Sequence, residues 1–270
     1  MTVETEELAA LTRLFEPDPR PDPCEPRTEI VHQDDRLIRH RPTAAGGPWA
    51  STVVWVRWRA DEAERHIDEV LDFFATRAAH FIWSVGPQTE PADLGERLVA
   101  RGFELVARTQ LMVASLPIAG LRVNPEIVVR EVRDEATMRD SLAVEHPDWE
   151  AERVEALLSE RVAYLLCPGR ARHFAVAYLG GVPVSAARWR FNERDSAVHL
   201  SGAETLMPYR RRGAYSTLVV HRAERALERG CRYATIFADD TTSAPILAKR
   251  GFRSVGRASY YLSPRRSSSS

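Results

Sequence analysis

A run of arginines and small residues lies where a strand is expected to pass into a helix. It reads Thr205-Leu206-Met207-Pro208-Tyr209-Arg210-Arg211-Arg212-Gly213-Ala214-Tyr215-Ser216. The first N–H groups of a helix lack internal partners and the helix dipole adds positive potential, so such a turn can bind a pyrophosphate. Gly213 would allow close approach, and the three arginines Arg210, Arg211 and Arg212 would add charge-assisted contacts. The structural alternative is a solvated arginine patch, and the turn alone favours neither.

Two side chains on the strand before this turn could accept a proton. His199 and Glu204 stand in a segment that is otherwise small or apolar. Strict alternation places Glu204 on the face of Val198 and Leu200, unless a bulge shifts the register. A partly buried carboxylate would have a raised pKa that suits a general base, so we rank Glu204 just above His199. The alternative for either residue is a purely structural role.

These residues belong to an order of elements that occurs twice. The later set is predicted as strand 197–206, helix 213–228, strand 233–238, short helix 243–250 and strand 252–262. The earlier set is predicted at 51–58, 61–78, 81–85, 92–101 and 103–113. Arg101-Gly102-Phe103 also aligns with Arg250-Gly251-Phe252. We interpret the chain as a duplication, with domains 1–118 and 119–270.

Each copy is predicted to be mixed α/β (α+β), with a mostly antiparallel mixed sheet flanked by helices. The C-terminal copy adds strand 127–132, helices 135–145 and 150–165, and a hairpin that turns at Gly180-Gly181. The N-terminal copy is preceded by helix 4–15 and by hairpin 28–41, which turns at Asp34-Asp35.

The arginine turn resembles the signature of the GNAT superfamily of acyl-CoA N-acyltransferases, Q/R-x-x-G-x-G/A. Arg210 and Gly213 match its first two fixed positions, and Tyr215 departs from the small residue usual at the third. The resemblance extends over about residues 126–262, because the family's later short helix also ends in Gly-Phe, here Gly251-Phe252. It implies acetyl-CoA as the acyl donor and an amine of a small molecule or peptide as the acceptor.

The resemblance also implies which residues bind the cofactor through their main chain. Backbone groups of Ala203, Glu204 and Thr205 would pair with the pantetheine arm. The pyrophosphate would be held by the N–H groups of Arg211, Arg212, Gly213, Ala214, Tyr215 and Ser216.

The general acid is less clearly marked. In the family it is often a tyrosine four residues before the glycine of Gly-Phe, and Leu247 stands there in this chain. Tyr260 is our candidate replacement, with Tyr261 and the hydroxyls of residues 241–243 as alternatives. Because this role is open, a non-catalytic acyl-CoA sensor or scaffold is the alternative function.

The N-terminal copy has Arg57-Trp58-Arg59-Ala60-Asp61 in place of the phosphate turn. This segment has no glycine and carries an acidic residue at the helix start, so we expect a degenerate copy that does not bind CoA. It would either shape the substrate cleft or only stabilise the protein.

Composition limits the partners. A formal net charge of -1 gives no general attraction to nucleic acid or anionic lipid, and no apolar run is long enough to span a membrane. Neither C-x-x-C nor a helical H-x-x-x-H pair occurs, so no metal is expected. An acidic start without a leader pattern leads us to expect a cytoplasmic protein. The oligomeric state is left open.

Overall fold

The computed structural model describes residues 3–16, 20, 22–25, 27–43, 46–78, 80–118, 120–121, 123–192 and 194–264. The chain divides into two compact units. We call residues 1–15 and 110–255 the C-terminal unit, and residues 16–109 and 256–270 the N-terminal unit. This division differs from the predicted linear boundary at 118, because each end of the chain clusters with the unit built from the opposite half.

The elements run along the chain in the order that the sequence predicts. The strands are β1 (Glu29–Gln33), β2 (Arg36–His40), β3 (Ser51–Val56), β4 (Ile82–Val85), β5 (Glu104–Ser115), β6 (Ile127–Glu131), β7 (Arg172–Leu179), β8 (Val182–Asn192), β9 (Ala197–Thr205), β10 (Tyr233–Asp239) and β11 (Arg253–Leu262). The helices are α1 (Val3–Arg13), α2 (Ala63–Phe74), α3 (Leu94–Ala100), α4 (Glu135–Glu145), α5 (Ala151–Leu166), α6 (Ala214–Glu228) and α7 (Ser243–Ala248). Every element of the predicted repeat is present, which confirms the mixed α/β fold class.

The sheet of the C-terminal unit has the strand order β5-β10-β9-β8-β7-β6. Strands β6 to β9 pair antiparallel with their neighbours, and β9 pairs parallel with β10. Ala175 of β7 is in the core cluster that includes Leu218 of α6, whereas the adjacent Phe174 lies under Arg161 of α5. Because successive strand residues face opposite sides, α6 covers one face of this sheet and the α4–α5 pair covers the other. We call these the α6 face and the α4 face.

The sheet of the N-terminal unit has the strand order β1-β2-β3-β4-β11. Strands β3 and β4 are parallel, and the other neighbours pair antiparallel. Its core is aromatic: Trp83 stacks edge-on against Trp58 and Phe103, with ring centroids 5.9 Å and 5.8 Å away. Ile67 of α2 is fully buried in the same cluster.

Two turns adopt the conformations that their residues favour. Gly180 and Gly181 have φ values of 59° and 82°, which fit a tight hairpin between β7 and β8. Asp34 and Asp35, with φ values of 49° and 51°, make the corresponding turn between β1 and β2. Aspartate tolerates this region better than most residues with a side chain, so both predicted turns are confirmed.

Contacts of the two chain ends explain why each end clusters with the unit built from the opposite half of the sequence. In the C-terminal unit, the Thr12 hydroxyl of α1 donates to the Val255 carbonyl at 3.2 Å, and Phe15 packs edge-on against Phe237. In the N-terminal unit, the end of β11 pairs with β4 from Ser259↔Val85 to Leu262↔Ile82. Within the described part of the chain, no helix has the length and apolar character to cross a bilayer.

Candidate active site

Strands β9 and β10 separate in the middle of the sheet. Their parallel pairing runs from Ala197↔Tyr233 to Leu200↔Ile236 and goes no further. Residues 201–205 of β9 therefore leave the main-chain edge that faces β10 unpaired by that strand. An extended ligand can bind along such an edge as an added strand.

A β-bulge lies at the start of this open segment. Arg188 of β8 pairs with Ser201 and Ala186 pairs with Glu204, so three steps along β9 match two along β8. Gly202 lies in the bulge with a φ of 52°. Since Ala186 and Arg188 share a face, Ser201 and Glu204 share it as well.

The bulge moves Glu204 to the α4 face. Arg188 points to that face, because its Nη1 lies 3.9 Å from Oε2 of Glu145 on α4. His199, which pairs with Arg190, lies on the same face. Glu204 therefore lies on the same face as His199. Strict alternation would have placed it on the face of Leu200. Its side chain is exposed, so the expected partial burial of Glu204 is wrong.

His199 is held as a neutral imidazole. Burial, together with the positive charges of Arg190 and Arg222, lowers the pKa of His199 to about 3. The Thr235 hydroxyl donates to the Val198 carbonyl at 3.3 Å, so its oxygen accepts from Nδ1–H of His199 at 3.1 Å. This arrangement leaves Nε2 as the ring nitrogen with a free lone pair. An imidazole with so low a pKa is a weak base at neutral pH.

The turn that follows β9 presents a row of unused N–H groups. After a 3-10 turn at Met207–Tyr209, Arg211 and Gly213 have φ values of 65° and 89°, and α6 begins at Ala214. No side chain caps this helix start. Among the described residues, none accepts a hydrogen bond from the N–H groups of residues 211–216. Six successive main-chain donors at a helix N-terminus form a cradle for an anion.

Asn124 fixes the main chain of this turn from behind. Its Nδ2 donates to the Arg212 carbonyl at 2.8 Å, and a Cβ added at Gly213 would lie 3.1 Å from its own Cβ. Thr217 accepts from the Asn124 N–H at 3.3 Å and donates to the Gly213 carbonyl at 3.0 Å. These contacts hold the carbonyls back and leave the N–H groups facing outward.

The three arginine side chains of the turn are exposed. Arg210 donates from Nε to the Thr205 carbonyl at 3.2 Å, and Arg212 lies over the Tyr209 ring. These side chains add positive potential around the cradle, and the N–H groups supply its shape.

A buried arginine, which sequence reasoning missed, ties the bulge to α6. Arg222 is 0% exposed and donates from Nη1 to the carbonyls of Arg188 at 3.0 Å and Ser201 at 3.4 Å. Burial lowers the pKa of Arg222 to about 10. Its place in the sequence, four residues from both Leu218 and Ala226 on the apolar side of α6, was the available signal.

Two polar atoms near this arginine have no partner among the residues described. They are Nη2 of Arg222 and the hydroxyl of Tyr215, both buried. Burial raises the pKa of Tyr215, so its hydroxyl stays protonated. Orphaned donors in the first and third turns of α6 fit a site that takes a polar ligand.

The predicted general-acid residues are held in other contacts. Leu247 of α7 is fully buried in the core, so that position carries no acid. Thr241 and Thr242 donate their hydroxyls to Oδ1 of Asp239 at 2.7 Å and 2.9 Å. Tyr260 belongs to the N-terminal unit, where its hydroxyl accepts from Thr109 at 3.4 Å and its ring packs on Trp49. A catalytic role for Tyr260 stays a prediction.

An acidic residue and two arginines form a cluster on the α4 face, also missed from the sequence. Oε2 of Glu145 lies 3.5 Å from Arg161 and 3.9 Å from Arg188, and Oε1 accepts from Ser141 at 2.9 Å. Burial would raise the pKa of Glu145, but Arg161 and Arg188 hold it below its usual value. The carboxylate is therefore ionised.

Comparison with known protein families identifies the class of this site. Residues 136–252 match the model of the acetyltransferase (GNAT) family. This segment contains the diverging strands, the cradle and α6, so the predicted resemblance to that superfamily is confirmed here. By sequence, no curated protein matches the chain.

Solved structures extend the likeness to both units. A GCN5-related N-acetyltransferase from Kribbella flavida has a TM-score of 0.68 and 16% identity, covering 98% of this chain and 96% of its own. A tandem GNAT protein from the clavulanic acid biosynthesis pathway has a TM-score of 0.59 and 15% identity, covering 98% and 95%. A conserved protein of unknown function from Staphylococcus epidermidis has a TM-score of 0.66 and 15% identity, covering 88% and 95%. At these identities the likeness shows a shared fold.

Proposed function

We propose that the C-terminal unit binds acetyl-CoA and transfers its acetyl group to an amine of a small molecule or peptide. The observation that carries this proposal is the row of unused N–H groups at residues 211–216. A pyrophosphate matches that cradle in charge and in hydrogen-bonding type. The family match over residues 136–252 supports the same donor class.

The open edge of β9 suits the rest of the donor. Ala203, Glu204 and Thr205 lie where β9 has left β10, so β10 does not occupy this edge of their main chain, which suits the amides of a pantetheine arm. The Thr205 carbonyl accepts from Nε of Arg210. The same edge leads from the bulge to the cradle. The residues present therefore fit the donor.

The donor supplies an acetyl group activated as a thioester. Transfer would require that an ammonium on the acceptor give one proton to a base of the chain, and that its nitrogen bond to the thioester carbon as the carbon–sulfur bond breaks. The second proton of that nitrogen would pass to the departing sulfur, which gives free thiol. Glu204 is our candidate for the proton acceptor, because its carboxylate lies on the α4 face beside the bulge. His199 ranks second because of its low pKa.

Two measurements test this proposal. At a hundredfold excess over Kd, acetyl-CoA should add about 2.7 kcal/mol to the free energy of unfolding, seen as a higher melting temperature. A panel of amines with acetyl-CoA should then release free thiol. If neither acetyl-CoA nor desulfo-CoA shifts the melting curve at millimolar concentration, the donor assignment is wrong.

The burial of Leu247 favours a second candidate, an acyl-CoA sensor or scaffold that lacks a general acid. Such a protein would show the melting shift without thiol release. The cytoplasmic location and the absence of a metal stay predictions.

A further inference from the structure

The guanidinium of Arg188 lies directly on the bulge of β9. A Cβ added at Gly202 would collide with Nε, Nη2 and Cζ of Arg188, so the guanidinium lies in the space that this glycine leaves open. The Arg188 side chain is 28% exposed and sits on the α4 face with His199 and Glu204. A positive charge is thus placed at the point where β9 leaves β10.

The hydrogen-bonding capacity of Arg188 is almost unused. A guanidinium has five N–H donors, yet the side chain of Arg188 makes no hydrogen bond to any residue that the structure describes. Its Nε is buried, and its one ion pair, to Glu145, is long at 3.9 Å. Arg222, by contrast, donates to three main-chain carbonyls.

Glu145 lies closer to other groups than to Arg188. Its carboxylate is 5% exposed, accepts from Ser141 and lies 3.5 Å from Arg161, against 3.9 Å from Arg188. The Arg188 guanidinium therefore keeps donors for a further ligand. A partly buried guanidinium with unused donors favours an anion.

We propose that Arg188 binds a carboxylate carried by one of the two reacting molecules. This inference rests on the proposed acetyl-type transfer and narrows its substrate class. The planar fork of arginine matches the two oxygens of a carboxylate, and a fork with free donors at the reacting end suits that ligand better than a neutral one. The carboxylate belongs either to an amino-acid acceptor or to a dicarboxylic acyl group on CoA.

The test compares ligands that differ only in the carboxylate. In one arm, acetyl-CoA is fixed and L-phenylalanine, L-tryptophan and L-lysine are compared with phenethylamine, tryptamine and cadaverine. In the other arm, the amine is fixed and succinyl-CoA is compared with butyryl-CoA. We expect one arm to show a higher kcat/KM for the carboxylated member, and Arg188→Met to lower that preference about 10- to 100-fold.

Arg188→Lys should keep part of the preference, because it retains the charge and loses the fork. Arg190→Met is the matched control, since Arg190 lies two residues away on the same face, and it should leave the ratio unchanged. A preference that survives Arg188→Met, or no preference in either arm, overturns the inference.

Melting temperatures with the same pairs in the presence of CoA give a readout that does not need turnover. We expect the carboxylated member to raise the melting temperature more, and Arg188→Met to remove the difference. If no pair releases thiol, the proposed acyl transfer is wrong, and the proposed carboxylate binding is not affected. If both members of each pair raise the melting temperature equally, the proposed binding of a carboxylate by Arg188 is wrong.

Discussion

In each copy of the repeat, a pair of parallel strands separates part of the way along the sheet. The edge exposed by this separation is open in one copy and closed in the other. In the C-terminal unit, β9 leaves β10 after Leu200↔Ile236 and its edge stays open. In the N-terminal unit, β3 and β4 pair over two residues and then separate, but Glu90 bonds to the main chain of Val56 and Trp58, each at 3.1 Å. The second gap is closed by the protein's own chain.

The turns that follow these strands differ in the same way. In the N-terminal unit, Trp58 is 4% exposed, donates its Nε1–H to the Asp34 carbonyl at 2.7 Å and stacks on His66. Its main-chain N–H is used by Glu90, and Asp61 at the helix start pairs with Arg59. In the C-terminal turn, the N–H groups of residues 211–216 find no acceptor among the residues that the structure describes. The same order of elements thus gives a turn with exposed N–H donors in one copy and a turn occupied by Trp58, Glu90 and Asp61 in the other.

We expect the largest effect from removing the proposed base of the C-terminal copy, compared with the same change in the N-terminal copy. Glu204→Gln should keep acetyl-CoA affinity and lower kcat about 10²- to 10⁴-fold, because the amide keeps the shape and loses the base. Steady-state kinetics against pH checks this, with partial rescue expected at high pH, where the amine is already deprotonated. Glu90→Gln, in the closed gap, is the control and should leave kcat unchanged. Full activity in the Glu204 variant would refute its role.

A second pair of substitutions compares the contribution of the two helix starts to CoA affinity. Gly213→Glu places an anion with a side chain at a φ of 89°, where the main chain must approach a phosphate, and should weaken CoA binding by about 100-fold or more. Asp61→Ala, at the corresponding helix start, should leave the affinity intact. Calorimetric titration measures both, and circular dichroism shows whether each variant is folded. Equal losses would mean that the working copy is misassigned.

The smallest effect concerns stability against pH. Burial lowers the pKa of His199 to about 3 and of His173 to about 4 from an ordinary 6.5. Between pH 6.5 and about 4, these histidines are protonated in the unfolded chain and neutral in the folded C-terminal unit. The free energy of unfolding should therefore fall as the pH drops through this range, by at most about 1.4 kcal/mol per pH unit for each histidine.

Hydrogen exchange at pH 7 and pH 5 measures this for each unit separately. Protection should fall first in the C-terminal unit, and His199→Gln should reduce the fall. In the N-terminal unit, Glu69 has its pKa lowered to about 2 from 4.5 by hydrogen bonds from Arg36 and His66, so its contribution is lost only at lower pH. An earlier loss of protection in the N-terminal unit would contradict the assignment.

Much of the architecture could be predicted because its signals are local. Gly180-Gly181 and Asp34-Asp35 define their hairpins through backbone conformations that few other residues adopt. The sequence also predicted the conformation of the turn proposed to bind phosphate, because glycine, positive φ and a helix start follow one another within a few residues. The burial of Leu247 is also what a leucine on the apolar side of a short helix predicts, whereas the identity of the general acid stays a prediction.

The sequence by itself determined the order of elements, the duplication and the position of the cradle. Tertiary structure decided which face Glu204 occupies, since that depends on a bulge at Gly202 that is held by Arg222 from a helix and filled by Arg188 from a neighbouring strand. It also decided that the chain ends cluster with opposite halves, because the pairing of β11 with β4 joins residues far apart in sequence. Local conformational preference fixes the first set, whereas the second depends on packing between distant segments that no local pattern encodes.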